Sequence, residues 1–293
     1  MTPAATPFEA FFLPVEGAKP GQRFCLFHPA QGGEVRGSVL YVHPFAEEMN
    51  KSRRMAALLS RALAKAGFNV LQIDLLGCGD SSGDFGDASW AGWIEDIVTA
   101  CQWLRKYKHG AFPNAKNPPL WLWGLRSGCL LTVQAAAKLD EPCNFLFWAP
   151  TPSGKTHLQQ FLRIKAAADL AAGGAKAVMD RLRADLSQGL PIEVGGYLLG
   201  ATLANDLEQA TLAPPSLVKG LATSRMEWFD LSTREGASLT PVATKTLDSW
   251  KESGFGAVRS HHVQGPSFWQ TTEIEDAPAL VTATTAALQE AVA

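Results

Sequence analysis

The chain has 293 residues, 46% of them hydrophobic, and a formal net charge of −2. That is enough for one large domain with a full core, and it gives no electrostatic case for nucleic acid or an anionic membrane surface. The five cysteines, Cys25, Cys78, Cys101, Cys129 and Cys143, are odd in number and scattered, with no C-x-x-C pair. They read as buried free thiols in a reducing compartment rather than as a disulfide framework or zinc ligands. Residues 1–14 carry neither a positive charge nor a long apolar run, so no secretory signal is read there. No stretch approaches the roughly 20 apolar residues that span a bilayer. The expectation is a soluble, cytoplasmic protein without a membrane span.

In chain order, 8–13 and 23–27 are expected as edge strands. Between 37 and 150, short apolar runs at 38–42, 69–73, 120–123 and 144–148 alternate with helical segments. Such runs lack the alternation of a one-sided sheet and fit strands covered on both faces. Met55, Leu58, Leu59, Ala62, Leu63 and Ala66 form one helical stripe, with Asn50 expected as its N-cap and Gly67 as its stop. A second stripe runs Trp90, Trp93, Ile94, Ile97, Val98, Cys101 and Leu104, and a third helix follows Gly128.

From 151 to 224 the alternation breaks. The alanine-rich 166–172 stretch and 177–186 are expected as helices of a lid, punctuated by Gly173-Gly174, Gly195-Gly196 and Pro214-Pro215. The sheet resumes at 225–231 and 258–263, with a helix at 241–253 between them. A last helix is expected near Pro278 with Asp276 as its cap. The expected fold class is α/β: an α/β-hydrolase fold, a mostly parallel doubly wound sheet with a helical lid insertion. Residues 1–150 and 225–293 would form the core and 151–224 the lid.

In an open sheet of this kind, chemistry lies just beyond the carboxyl ends of the strands. Two segments compete for the G-x-S-x-G nucleophile turn. Gly79-Asp80-Ser81-Ser82-Gly83 is the literal match, but a long loop separates it from the next helix, so it cannot be the sharp strand-to-helix elbow. Gly124-Leu125-Arg126-Ser127-Gly128 has the right context, tight between a strand and a helix. Its central residue is Arg126, with the serine displaced by one, so Ser127 should face sideways into the helix start. A guanidinium is neither a nucleophile nor a usable base, and loss of the serine alone costs a triad enzyme on the order of a million-fold.

The remaining triad positions are equally weak. After the last strand the run Gly265-Pro266-Ser267-Phe268 leaves Phe268 where a histidine belongs, while His261 and His262 lie inside the strand. Asp230 and Glu235 are the candidate acids, and an isolated carboxylate is more often solvated or capping. Cys129 opens a helix whose dipole could activate a thiol, yet buried filler is its simpler reading. No metal or organic cofactor motif is visible.

Two runs, His43-Pro44-Phe45-Ala46-Glu47-Glu48-Met49-Asn50-Lys51-Ser52-Arg53-Arg54 and Leu71-Gln72-Ile73-Asp74-Leu75-Leu76-Gly77-Cys78-Gly79-Asp80-Ser81-Ser82-Gly83, together with the elbow and Phe268-Trp269-Gln270-Thr271-Thr272-Glu273, carry a resemblance. With them the chain resembles the α/β-hydrolase-like proteins associated with exosortase A systems, second type. The resemblance implies a bacterial protein linked to exopolysaccharide production and surface-protein sorting, with a possible protein partner in that system. It does not establish activity.

Charged residues should gather at the strand ends. A buried, unpaired guanidinium costs several kcal/mol, so Arg126 needs an acidic partner: Glu47 or Glu48 first, Asp80 second. Arg126, Glu48 and His43 are the candidate catalytic residues. Phe45, Glu47, Asn50, Cys78, Asp80, Ser81, Ser127, Trp269 and Gln270 are expected around a cleft for a small molecule, an acyl or carboxylate compound. In one reading Glu48 activates water and Arg126 stabilises an anionic intermediate. In the other the scaffold has lost its chemistry and binds an anionic or acyl ligand, or a protein, with Arg126 as the anchor.

Overall fold

The computed structural model describes residues 8–17, 19–32, 35–107, 118–168, 174–215 and 221–290. The central sheet contains β1 (Glu9–Val15), β2 (Gly21–His28), β3 (Gly37–Val42), β4 (Phe68–Ile73), β5 (Leu120–Leu125), β6 (Cys143–Trp148), β9 (Arg225–Ser232) and β10 (Ala257–Gln264). Their spatial order is β1-β2-β4-β3-β5-β6-β9-β10. The run from β4 to β10 is parallel, and β1 and β2 add an antiparallel edge. The helices of the core are α1 (Glu47–Lys65), α2 (Trp90–Lys106), α3 (Gly128–Ala136), α7 (Pro241–Glu252) and α8 (Pro278–Gln289). This is the α/β-hydrolase fold.

Every residue of β3 and β5 is buried, and the two faces of the sheet feed two separate cores. Leu40, Val42, Leu71, Ile73 and Leu122 pack with Trp93 and Ile97 of α2 and Leu130 and Leu131 of α3. The alternate residues Val39, Tyr41, Val70, Trp121 and Trp123 pack with Met55, Leu59 and Leu63 of α1 and Leu280 and Leu288 of α8. The period-2 alternation of a strand thus divides a continuous apolar run between two layers of helices. All five cysteines are buried free thiols.

Between β6 and β9 the chain inserts α4 (Gly154–Ala168), α5 (Ala175–Ser187), β7 (Ile192–Val194), β8 (Tyr197–Leu199) and α6 (Ala201–Gln209). Leu158, Phe161 and Leu162 of α4 and Leu203 and Leu207 of α6 belong to the same core as α2 and α3. The insertion is not wholly helical, because β7 and β8 pair as an antiparallel hairpin. Its turn is Gly195-Gly196, both in the left-handed region at φ 58° and 85°, the geometry two-residue hairpins demand. Of the alanine-rich stretch, 166–168 closes α4, and 169–172 lies outside the described residues along with Gly173.

Two helix caps differ from expectation. The helix α1 starts at Glu47, with Ala46 at the N-cap and Glu47 and Glu48 in the first turn; Asn50 is inside it. Carboxylates there face the positive end of the helix dipole. At α8 the N-cap is Ala277. Asp276 instead makes a bidentate pair with Arg54, at 2.7 and 2.8 Å, tying α8 to α1.

Candidate functional site

The tight turn between β5 and α3 is a true elbow. Arg126 holds φ at 55°, a left-handed conformation that costs a side-chain-bearing residue roughly 1–2 kcal/mol. Packing of the two glycines holds the turn in place. A Cβ on Gly124 would lie 2.6 Å from the Cα and backbone N of Cys129, and one on Gly128 would lie 2.4 Å from the Val42 carbonyl oxygen. The Arg126 N–H donates to the Trp148 carbonyl at 3.0 Å, which registers the elbow on the end of β6.

The Arg126 side chain reaches into a cleft of about 470 Å³ lined by Phe45, Glu47, Glu48, Lys51, His157, Gln160, Phe161, Ile164, Trp269 and Gln270. Nε donates to Glu48 Oε1 at 3.3 Å, Nη2 to Gln160 Oε1 at 3.3 Å and Nη1 to the Ala149 carbonyl at 3.5 Å. The guanidinium also lies over the Trp269 ring, 5.3 Å from its centroid. All three hydrogen bonds are long for a charged donor, so the guanidinium is surrounded but not saturated. Burial pushes the Glu48 carboxyl above the usual carboxylate range, and the Arg126 charge opposes this without cancelling it.

Several polar atoms around this cleft are buried and lack a hydrogen-bond partner among the described residues: Glu48 Oε2, His157 Nδ1, Trp269 Nε1 and, beside the elbow, Thr151 Oγ1. Buried polar atoms are rarely left so, and a cluster of them asks for an explanation such as a ligand or water. His157 is 4% exposed. Burial, with Arg126 nearby, lowers its pKa to about 3, so the ring is a neutral hydrogen-bonding group.

His157, Gln160, Phe161 and Ile164 come from one face of α4 at i, i+3, i+4 and i+7. None of them figured among the expected site residues. Their spacing on a helix within an expected lid was the one signal available. Phe45 packs edge-on against both His157 and Phe161, with centroids 5.9 and 5.1 Å apart, which joins the insertion to the loop after β3.

Of the residues expected at the site, Phe45, Glu47, Glu48, Arg126, Trp269 and Gln270 line this cleft together. The others do not, and each has a structural occupation. His43 is buried, with Nδ1 against the Pro44 carbonyl at 2.8 Å and Nε2 accepting from the Leu75 N–H at 3.2 Å. Both ring nitrogens are spent on backbone, so no catalytic role is left for it. Ser81 Oγ accepts from the Phe24 N–H at 2.9 Å and donates to the Asp74 carbonyl at 2.5 Å. Asp80 is exposed, and its N–H donates to Asp74 Oδ2 at 3.1 Å; its carboxylate is not the partner of Arg126. Cys78 is buried, and burial raises its thiol well above the ordinary range. Asn50 is exposed beside the rim, bonding Glu47 Oε2 at 3.3 Å and Tyr197 Oη at 3.1 Å.

Ser127 is 2% exposed at the start of α3 and is not among the residues lining the cleft. The Cys129 thiol is fully buried and held well above its usual pKa. Phe268 is buried in the α1/α8 core, edge-on to Trp148 and Trp269. His261 pairs with Glu227 at 2.6 Å and stacks on Phe229. Asp230 and Glu235 border a separate hollow with His262. No described histidine is paired with an acid at the elbow. Among the described residues no cluster of three or more His, Cys, Asp or Glu could hold a metal ion. No described helix is long and apolar enough to cross a membrane.

Residues 33–213 match the sequence model of the family described as serine aminopeptidase, S33. A stretch of 117 residues, 40% of this chain, is 29% identical to Protein ABHD12B of Homo sapiens and spans 29% of that protein. Among solved structures, Est1E from Butyrivibrio proteoclasticus with bound ferulic acid superposes with a TM-score of 0.61. It is 12% identical, over 92% of this chain and 93% of that one. A soluble variant of monoglyceride lipase from Saccharomyces cerevisiae, in complex with a substrate analog, gives a TM-score of 0.60. It is 15% identical, over 97% and 96% of the two chains. At these identities the structural likeness concerns the fold.

Proposed function

The chain belongs to the serine aminopeptidase, S33, family, and from that premise we propose that it binds a carboxylate- or acyl-bearing small molecule without serine-nucleophile turnover. The supporting observation is Arg126: at the nucleophile's place stands a guanidinium aimed into a cleft, held by three long contacts and ringed by unpartnered polar atoms. Arg126 would anchor the anion, Phe45, Phe161 and Trp269 would wall the apolar body, and the 151–224 segment would act as the lid. The triad is read as degenerate, with Arg126 in place of the serine and Phe268 in place of the histidine.

Titration calorimetry with octanoate and 3-phenylpropanoate tests this reading. Binding that Arg126→Leu weakens at least about tenfold, the equivalent of ~1.4 kcal/mol, supports it. Stoichiometric fluorophosphonate labelling of Ser127 or Ser81 would overturn the loss of nucleophile chemistry.

A second reading rests on Glu48. Its buried carboxyl, raised in pKa and with one free oxygen, has the character of a general base for water. Ester or thioester hydrolysis by the unmodified chain, abolished by Glu48→Gln, would favour it. The resemblance through 43–54 and 71–83 supports a setting in exopolysaccharide production, in the cytoplasm, with a protein of that system as an alternative occupant. Co-purification of such a protein from a native host, lost on Arg126→Leu, would favour that occupant over a small molecule.

A further inference from the structure

We propose that the cleft takes up a monoanionic carboxylate together with one proton, carried by Glu48 on Oε2 and donated back to the ligand as a hydrogen bond. This rests on the reading of Arg126 as an anion anchor. The charges facing the cleft are Arg126 and Lys51 against Glu47 and Glu48. An incoming carboxylate would therefore leave a net negative charge between apolar walls, two carboxylates sharing one guanidinium. Like charges so close do not both persist; one takes a proton.

Glu48 is the group built to accept it. Its Oε1 remains against Arg126 Nε at 3.3 Å, whereas Oε2 is buried with no partner. As a carboxylate, Oε2 is a buried acceptor without a hydrogen-bond partner among the described residues; as a carboxylic acid it becomes a donor, on the same carboxyl whose Oε1 meets Arg126. The ligand carboxylate would then take the Nη1 and Nη2 edge, which the protein meets only through contacts of 3.5 and 3.3 Å. Burial raises the Glu48 carboxyl and the Arg126 charge opposes this; a second carboxylate beside it shifts it further in the same direction as burial.

The other titratable groups facing Glu48 do not supply this proton. Glu47, on the same helix, is engaged by Tyr197 Oη at 3.0 Å. His157, from α4, titrates at about 3. Tyr41, beneath Glu48 in the sheet, is buried and its phenol is held protonated. Arg53 is turned to Asp74, at 2.9 Å. The elbow contributes Arg126 alone, and the segment after β10 contributes the uncharged Trp269 and Gln270. The same balance selects against dianions. A phosphate monoester would leave a negative charge even after Glu48 is neutral.

Calorimetry of 3-phenylpropanoate between about pH 6 and pH 8.5, in buffers of different ionisation enthalpy, reads the proton directly. Uptake of about one proton per ligand is expected at the alkaline end, with affinity falling toward about tenfold per pH unit there. Glu48→Gln, whose amide mimics the protonated acid, should bind with no proton uptake and no pH slope, at least as tightly as the natural chain at about pH 8. Phenyl phosphate should bind at least about tenfold more weakly than the carboxylate. Affinity independent of pH with zero proton uptake in the natural chain would overturn the proposal while leaving the anion anchor standing. A pH slope retained in Glu48→Gln would do the same. Absence of carboxylate binding at every pH would remove both. Should Glu48→Gln not fold, the proton count on the natural chain decides alone.

Discussion

Replacing Arg126 by Leu removes the one cation among the described residues that pairs with Glu48 while keeping apolar bulk and the same left-handed strain at φ 55°, so backbone cost cancels from the comparison. Breaking a fully buried pair from one side costs roughly 3–5 kcal/mol, whereas an exposed pair is worth about 0–1. The Arg126 and Glu48 side chains are 16% and 21% exposed and meet through a single 3.3 Å contact, which argues for an intermediate value. The cation over Trp269 adds about 0.5–1 kcal/mol, and new contacts of the leucine with the aromatic wall offset part of it. A net loss of about 2 kcal/mol at pH ~8 is expected on these grounds.

The loss must also depend on pH. A carboxyl whose folded pKa is raised destabilises the fold increasingly as pH climbs through that value. Without Arg126 the Glu48 carboxyl is raised further, so the variant should lose stability with pH more steeply than the natural chain. Toward acid pH, as the carboxyl takes up its proton in the variant, the difference should shrink. Urea titrations of the natural chain, Arg126→Leu, Glu48→Gln and the double variant give both losses and the coupling energy. An equal loss at acid and alkaline pH, or none at the alkaline one, would refute the pairing argument.

Three further outcomes are expected. Gly128→Ala places a methyl 2.4 Å from the Val42 carbonyl and 2.8 Å from that of His43, inside a sheet that cannot yield, and should lose about 3 kcal/mol or more by urea denaturation. His157 has its folded pKa lowered from 6.5 to about 3, so its neutral form stabilises the fold fully above pH 6.5 and the contribution, roughly 3–5 kcal/mol, is lost as pH falls through that window; His157→Gln should flatten the fall in urea midpoint between about pH 6.5 and pH 4. Glu227 is fully buried against Arg225 at 2.6 Å, Arg259 at 2.9 Å and His261 at 2.6 Å, and Glu227→Gln should cost roughly 3–5 kcal/mol by leaving buried Arg225 short of its counter-charge, measured as a drop in thermal midpoint.

The fold was legible because its signals are local. Apolar runs at 38–42 and 120–123 announce strands covered on both faces, and Gly124 and Gly128 bracket a turn that only such packing requires. The cleft was legible in the parts that follow strands: Phe45, Glu47 and Glu48 after β3, Arg126 after β5, Trp269 and Gln270 after β10. What α4 contributes was not. His157 and Gln160 sit on a helix whose docking depends on tertiary packing of Phe161 and Leu162, which no local pattern encodes.

The errors have the same origin. His43 is a candidate catalytic residue by sequence, but the Pro44 carbonyl and the Leu75 N–H occupy both its ring nitrogens. Asp80 looked like a partner for Arg126 until the loop was seen to fold back on Asp74. Asn50 looked like a cap because asparagine suits one, but the turn at Ala46 starts the helix earlier.

An elbow that keeps its strain with an arginine at its centre, at φ 55°, also bears on how this scaffold is built. The left-handed turn costs about 1–2 kcal/mol for any residue with a side chain, and catalysis is the usual reason to tolerate such a cost. Here a second reason is visible. Gly128 lies against the Val42 and His43 carbonyls and Gly124 against Cys129, so β3, β5 and α3 meet at the elbow and any relaxation would open the centre of the sheet. The turn is thus fixed by packing, and the identity of its central side chain is free to vary. Whatever residue stands there is delivered to the same point beyond the strand ends, between the loop after β3 and the helix α4. A serine delivered there needs a histidine to act; an arginine needs only a counter-charge, and Glu48 is close enough to serve. The geometry of this turn therefore accommodates an arginine and its counter-charge without rebuilding, and what stands at the turn is set apart from what holds it.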